Sequence, residues 1–440
     1  MENRTHPLTN PIAPSNSKEV RRAVVSSYLG TSVEFYDFIL YLSAASLIFG
    51  HLFFDNLSPA AGTIASLGTL AAGYLSRPLG AVVFGHYGDR IGRKAVLVAT
   101  LLLMGTSTAL IGILPTSEQI GAWAPLLLVV LRLLQGFAVG GEWGGASLMT
   151  FEHAPPHRRG FATSFVTAGG ATGAALAGGS LALVALLPDD DFYSWGWRVP
   201  FLLSAVLVVV GLWTRLQVSE SPLFLAEKLK PASQQQANDR PLLTVLRRPG
   251  ALFVVFTALL GPFVLNAGLV MSFGLSYART EGGLNLSAIL GIQMVSNFVM
   301  IFSSIAAGAL SDIYGRKRVM TTGVIFGAVL AYPFLLAVGS GQSKITVAAF
   351  IAMFVFVMAP IFGPISAFMS EQFSTSSRYT GASLGYQAAS TIGGGFAPLI
   401  LASLLALQDG GTSYILVFVI SFCIVSGFAI SKCAGSTLKR

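Results

Sequence analysis

The chain reads as an all-α integral membrane protein with twelve transmembrane helices in two pseudo-symmetric six-helix bundles. Three observations predict this. Of its 440 residues, 53% are hydrophobic and only 10% are charged, whereas a soluble chain carries roughly 25% charged residues. Twelve apolar segments each reach the roughly 20 residues needed to cross a hydrocarbon core as a helix. The motif G-x-x-x-D-x-x-G-R-K occurs twice, at Gly85–Lys94 and Gly308–Lys317, 223 positions apart. A weaker echo follows each copy: Glu152 with Arg159 and Gly160, then Glu371 with Arg378 and Gly381. A chain duplicated with its halves in parallel is an arrangement typical of secondary transporters.

The segments run, in order, over 24–53, 60–87, 95–114, 123–150, 160–187 and 199–218 in the first half. In the second half they run over 250–278, 286–311, 319–340, 345–370, 379–407 and 412–431. This divides the chain into a tail at 1–23, a bundle at 24–218, a linker at 219–249, a bundle at 250–431 and a tail at 432–440. The linker carries Glu220-Ser221-Pro222 and the polar stretch Gln234–Asp239, and reads as a connector with short surface helices. Residues 1–23 show no cleavable leader, so the first helix is expected to stay in the mature protein. Nothing at the C-terminus encodes a coiled coil. The 48 glycines suit closely packed transmembrane helices.

The net charge of +8 is a topology signal and not a nucleic-acid footprint. Of the 27 Lys and Arg, 22 fall in the tails and in the loops on their side of the membrane. Only Arg198, Arg279 and Lys344 lie in loops on the other side, and Arg77 and Arg132 lie inside apolar segments. The positive-inside rule then places both termini in the cytoplasm. Cys423 and Cys433 imply neither a disulfide framework nor a metal site. His153 and His157 have zinc-helix spacing, but Pro155-Pro156 between them breaks the helix. There is no nucleophile elbow, Cys–His pair or nucleotide-binding loop, so no enzyme and no cofactor is expected.

Charges at membrane depth are costly and mark function. Glu34 and Asp37 sit in the first segment, Arg77 in the second and Arg132 in the fourth. Glu34 is about 18 Å of helix past Arg22, Arg77 about 18 Å before Asp89, and Arg132 about 14 Å from its segment's outer end. Two acids and two arginines of one half therefore share a depth. They form either a structural ion-pair cluster that orients helices, or a proton and anion site. Burial disfavours an ionised carboxylate and a nearby Arg restores it, while Arg offers a planar fork suited to a carboxylate. Asp37 is the expected proton carrier, Arg132 its switchable partner and Glu34 a neighbour that tunes the proton. Glu142, nearer the cytoplasm, is a further acid with either a proton role or a structural one.

The repeated motif places Asp89 at a helix end with Arg90, Arg93 and Lys94 opening the next segment. It reads as a gate latch, formed when the inner side closes. Asp89, Arg90, Arg93 and Glu152 are its expected members in the first half, and Asp312, Arg316, Glu371 and Arg378 in the second. The expected substrate-site residues are Arg77, Tyr36 and Gln135, with Tyr386, Gln387 and Asn297 from the second half. Arg77 is the expected carboxylate partner.

These residues carry a family resemblance. Glu34-Phe35-Tyr36-Asp37-Phe38, Arg77-Pro78-Leu79-Gly80, Gly85–Lys94, Arg132-Leu133-Leu134-Gln135-Gly136 and Gly140–Gly145 belong to it. So do Trp195–Phe201 and Arg378-Tyr379-Thr380-Gly381-Ala382. Together the chain resembles the major facilitator superfamily over nearly its whole length. More narrowly it is similar to the bacterial metabolite:proton symporters for shikimate, oxoglutarate, citrate and proline/betaine. In related sugar porters an Asp of helix 1 and an Arg of helix 4 couple protons, and Asp37 and Arg132 look like the matching pair. The resemblance implies alternating access in a bacterial inner membrane, with proton-driven uptake of a small organic anion such as a mono-, di- or tricarboxylate or a shikimate-like acid. Alternatives are a proton-coupled zwitterion (betaine or proline) importer, a drug/proton antiporter or a non-transporting sensor. The expected partners are that anion, protons and the lipid bilayer, with no nucleic acid, and the chain is expected to be monomeric.

Overall fold

The computed structural model describes residues 17–229, 241–247, 249–407 and 411–434, and these are helical with no strand among them. The first half consists of α1 (Ser17–Leu47), α2 (Pro59–Ile91), α3 (Arg93–Ile113), α4 (Trp123–His153), α5 (Arg159–Val184) and α6 (Arg198–Leu216). The second consists of α7 (Pro249–Thr280), α8 (Leu286–Tyr314), α9 (Arg316–Gly339), α10 (Ser343–Glu371), α11 (Arg378–Leu405) and α12 (Ser413–Lys432). Among the described residues, ten of these are long and apolar enough to cross a membrane by composition alone. The other two, α1 and α2, have 31 and 33 residues and carry Glu34 and Asp37, and Arg77, which lower their hydropathy. Twelve helices are thus present, in the two six-helix bundles expected.

Differences from the expected segments are local. Helix α1 begins at Ser17, inside the stretch expected to be a tail, and its first apolar run is interrupted before a short helix at Phe49–Phe53. The linker holds short helices at Pro222–Lys228 and Pro241–Leu246. Gln234–Asp239 and most of both tails lie outside the described residues. Helices α7, α10 and α11 each contain a π-helical stretch, at Val264–Gly274, Met353–Met358 and Thr391–Phe396. Such widened turns are frequent at functional sites.

Lipid tails are as apolar as leucine, so close packing rather than hydrophobicity holds transmembrane helices together. The glycines show where this happens. A Cβ at Gly80 would lie 1.8 Å from the Phe137 carbonyl oxygen, and one at Gly140 would lie 2.2 Å from that of Arg77. Helices α2 and α4 therefore touch backbone to backbone. The α1–α5 pair does the same through Gly173, whose Cβ would lie 2.1 Å from the Ser32 carbonyl oxygen. Gly92 and Gly315, which are 223 positions apart, end α2 and α8 with φ of 124° and 92°, a region that L-residues avoid. Each lets the chain reverse tightly into the next helix.

The halves meet mainly at the face where α1 begins and α12 ends, called here the terminal face. Helix α2 packs on α11 there, and α5 packs on α8. Ser147 and Ser366, 219 positions apart and so equivalent in the repeat, share a hydrogen bond of 3.0 Å across the pseudo-twofold. Toward the opposite face Gly178 and Gly179 on α5 and Gly291 on α8 meet nothing within 4 Å. That face has its own aromatic core within the first half, where Phe49, Phe53, Trp197 and Phe201 pack mostly edge to face.

Candidate functional site: a charged cavity and its gate

Glu34, Asp37, Phe38, Arg77, Met104, Arg132, Gln135, Gly136 and Val139 enclose one small cavity of about 10 Å³. All four charges expected at a common depth are therefore brought together by α1, α2 and α4. The space holds about one water molecule. It is far below the roughly 300 Å³ of a small-ligand pocket, so the site is closed around its charges in this state.

Asp37 and Arg132 are both buried but do not touch as an ion pair. A relay joins them. An Arg132 guanidinium N–H donates to the Gln135 side-chain oxygen at 3.2 Å, and the Gln135 amide donates to the Thr108 hydroxyl at 2.6 Å. That hydroxyl in turn donates to Asp37 Oδ2 at 2.8 Å. Thr108, on α3, was missed in the sequence because a threonine in an apolar helix carries no distinguishing pattern. Asp37 Oδ1 and Arg132 Nε have no hydrogen-bond partner. The Arg132 guanidinium lies 4.1 Å from the Tyr41 ring centre.

Arg77 is held by ring faces. Its guanidinium lies 4.2 Å from the Tyr74 ring centre and 4.7 Å from that of Phe38, a favourable placement for a cation. It makes no ion pair with a described residue, and its Nε is unpartnered. Glu34 Oε2 is also buried without a partner. The cavity thus presents two acids and two arginines with unspent polar atoms on each side.

Tyr36 does not belong to this wall. Its hydroxyl donates to the Pro200 carbonyl at 2.7 Å and meets Ser180 Oγ at 3.1 Å, so it ties α1 to α5 and α6. One residue of helix turns a side chain by about 100°, which carries Tyr36 away from the face of Asp37. From the second half, Tyr386 stacks on Trp143 of α4 with ring centres 3.5 Å apart. Gln387 donates to the Val139 carbonyl at 3.2 Å. Both span the two halves beside the cavity. Asn297 is buried on α8 and is not among the cavity residues.

Glu142 takes a structural partner that the sequence analysis counted only among the cations on the side of the tails. Arg215, in the last turn of α6, reaches inward and forms a buried ion pair with Glu142. It also donates to the Leu97 carbonyl, and the Thr100 hydroxyl donates to Glu142 at 2.6 Å. A Cβ at Gly30 would collide with the Arg215 guanidinium, so Gly30 is what admits it.

At the terminal face each repeated Asp caps a helix of the opposite half. Asp89 accepts hydrogen bonds from the backbone N–H groups of Tyr379 (3.2 Å) and Thr380 (3.0 Å) and from the Thr380 hydroxyl (2.9 Å). Asp312 accepts from the backbone N–H groups of Gly160 and Phe161, each at 2.8 Å. The donors occupy equivalent positions at the N-termini of α11 and α5, where an anion meets unpaired N–H groups and the positive end of the helix dipole. Arg93 lies 3.4 Å from both Asp89 and Glu152, and Arg316 lies 2.7 Å from Asp312 and 3.3 Å from Glu371. The symmetry breaks at the next contact. Arg378 bridges to Glu152 across the halves at 3.1 Å, whereas the corresponding Arg159 faces the Phe151 ring and makes no ion pair with Glu371. Arg90, expected in the latch, is exposed and pairs with no described residue, so it takes no part in these contacts: its side chain leaves the helix on the solvent side. Glu220 was missed; it accepts from the N–H groups of Arg93 (3.0 Å) and Lys94 (3.2 Å) and caps α3.

Comparison with known proteins places the fold in a family. The family model described as Major Facilitator Superfamily matches residues 23–398. The shikimate transporter of Escherichia coli (strain K12) is 40% identical over 416 residues, covering 92% of each chain. The inner membrane metabolite transport protein YhjE of the same organism is 42% identical over 402 residues, covering 88% of each. Its proline/betaine transporter is 29% identical over 440 residues, covering 96% of this chain and 85% of that protein. Among solved structures, the proton:xylose symporter XylE bound to 6-bromo-6-deoxy-D-glucose superposes with a TM-score of 0.77 at 17% identity, covering 95% of this chain and 96% of that one. The chain belongs to the major facilitator superfamily, and is a multi-pass membrane transport protein and not an enzyme.

Proposed function

We propose that the chain is a proton-coupled importer of a small organic anion, working by alternating access in a bacterial inner membrane. Arg77 carries the reading: a cation with no carboxylate partner among the described residues, on the same cavity wall as Asp37, Glu34 and Arg132. Charge balance supplies the coupling. Two acids against two arginines leave the empty cavity neutral. A carboxylate entering alone would leave a net negative charge in a low-dielectric space, which is costly. A carboxylate entering with one proton restores neutrality.

Asp37 is the acceptor of that proton, and the relay is its transmission. Once Asp37 is neutral it holds the Thr108 hydroxyl less strongly, which loosens Gln135 and frees Arg132 to turn to the substrate beside Arg77. Glu34 tunes the balance. Tyr386 and Gln387 report occupancy to the second half, because both already bond or stack across it. The terminal face is cytoplasmic by the Lys/Arg asymmetry, and its Asp caps are the inner gate. The unit is a monomer, with bundles at 24–218 and 250–431 joined by the linker at 219–249. The relatedness to a shikimate transporter supports an organic acid as cargo.

A zwitterion importer is the second reading, favoured by the proline/betaine relative. Charge balance separates the two, since a neutral zwitterion needs no proton to enter a neutral cavity. Uptake of labelled organic acids and of betaine into vesicles, with and without an imposed pH gradient, tests both. Asp37→Asn is expected to abolish gradient-driven accumulation of the acid while leaving its exchange measurable. Accumulation equal to the parent would remove Asp37 from the coupling.

A further inference from the structure

A second cavity, remote from the charged one, opens between the start of α1 and the end of α6. It has a volume of about 480 Å³ and is lined by Lys18, Arg21, Arg22, Val25, Trp213, Thr214 and Gln217. Lys18 lies 16 residues before Glu34, about 24 Å of helix, so neither the transport site nor the Asp caps use this space. Three cations at positions 18, 21 and 22, spaced i, i+3, i+4 on one side of α1, form its wall. The single acid of that turn, Glu19, bridges to Arg22 at 3.1 Å and accepts the Ser219 hydroxyl at 2.7 Å. Among the described residues the lining carries three cations and no acid.

The opposite wall is formed by Trp213, Thr214 and Gln217, and beyond it α6 turns an apolar stripe outward. Trp213 is 66% exposed, and Val209 and Val206, above it on the same face of α6, are 65% and 58% exposed. A tryptophan at a helix end, with an apolar stripe above and cations beside it, marks the level where hydrocarbon gives way to headgroups. Cation forks bind phosphate oxygens in charge-assisted hydrogen bonds, and basic pockets between helices at this level suit anionic headgroups. The stripe from Trp213 to Val206 offers a track for an acyl chain directly continuous with the basic cavity. A free phosphate would use only the cations; a lipid uses both walls.

We infer that this cavity binds the phosphodiester headgroup of an anionic phospholipid in the leaflet at the terminal face, and so braces α1 against α6. Arg215, next to Thr214, points the other way to Glu142, so the lipid would steady the helix end from which that buried pair is made.

The test is thermal unfolding of the full purified chain in neutral detergent, titrated with phosphatidylglycerol, phosphatidylcholine or inorganic phosphate. Phosphatidylglycerol is expected to raise the Tm of the parent; phosphatidylcholine and inorganic phosphate are not. In Lys18→Gln/Arg21→Gln the half-effective phosphatidylglycerol concentration is expected to rise about fivefold per charge, roughly 25-fold for the pair. Arg158→Gln/Arg318→Gln removes two exposed charges elsewhere on the same face and is expected to leave the titration within about twofold of the parent. An unchanged titration in the first pair overturns the site. Equal losses in both pairs reduce it to bulk charge, and an equal Tm rise with inorganic phosphate overturns the lipid assignment.

Discussion

Replacing Asp89 with Asn removes one negative charge from a contact between the halves, which parting of the terminal face would break. In that contact the carboxylate accepts three hydrogen bonds from α11, from Tyr379 N, Thr380 N and Thr380 Oγ1, at 2.9–3.2 Å. Its ion pair with Arg93 lies within one half and survives opening, so it drops out of the difference. Hydrogen bonds to a charged group contribute from about 1.5 kcal/mol each, and neutral ones about 1 kcal/mol. Asn keeps one acceptor oxygen with two lone pairs, so three charged bonds become two neutral ones. The closed state loses about 2.5 kcal/mol, and the open fraction rises roughly 70-fold. The assay is the labelling rate of Ser366→Cys, a position sealed against Ser147 between the halves, in a Cys423→Ser/Cys433→Ser background. With the purified protein, maleimide should label this cysteine roughly 70 times faster in Asp89→Asn than in its Asp89 parent. A rate within about threefold of the parent, with an unchanged Tm in detergent, would refute the latch.

Three further outcomes follow from the same geometry. Asp312→Asn should act in the same direction but more weakly, since Asp312 accepts two cross-half bonds where Asp89 accepts three; a larger effect than Asp89→Asn would overturn that ranking. Arg77→Lys should raise the apparent KM for an organic acid at least tenfold, because an ammonium loses both the fork and the ring stacking; unchanged affinity would make the anion assignment wrong. Gly140→Ala forces a Cβ to 2.2 Å from a backbone oxygen of α2 and should destabilise by about 1–3 kcal/mol or more, whereas Gly178→Ala, with nothing within 4 Å, should not; equal Tm values for the two would contradict the backbone contact of α2 and α4.

Much of this molecule was legible without a fold. Twelve helices followed from twelve apolar runs, because crossing hydrocarbon demands about 20 apolar residues whatever their neighbours are. The duplication followed from two copies of one motif, and Glu34, Asp37, Arg77 and Arg132 followed from the cost of charge at that depth. Those signals are local, and they converged on one cavity. What the tertiary structure decided is direction and partnership. A helix turns about 100° per residue, so Tyr36 and Asp37, adjacent in sequence, serve different faces. Arg215 counted only toward the charge asymmetry and became the buried partner of Glu142, because Gly30 on another helix leaves room for it. Thr108, invisible among apolar residues, became the link between Asp37 and Arg132. The repeated Asp residues were legible as a pair at equivalent helix ends, but their acceptance of backbone N–H groups from the opposite half was not. Which helix end meets which carboxylate depends on how two bundles dock, and no single segment of the chain encodes that.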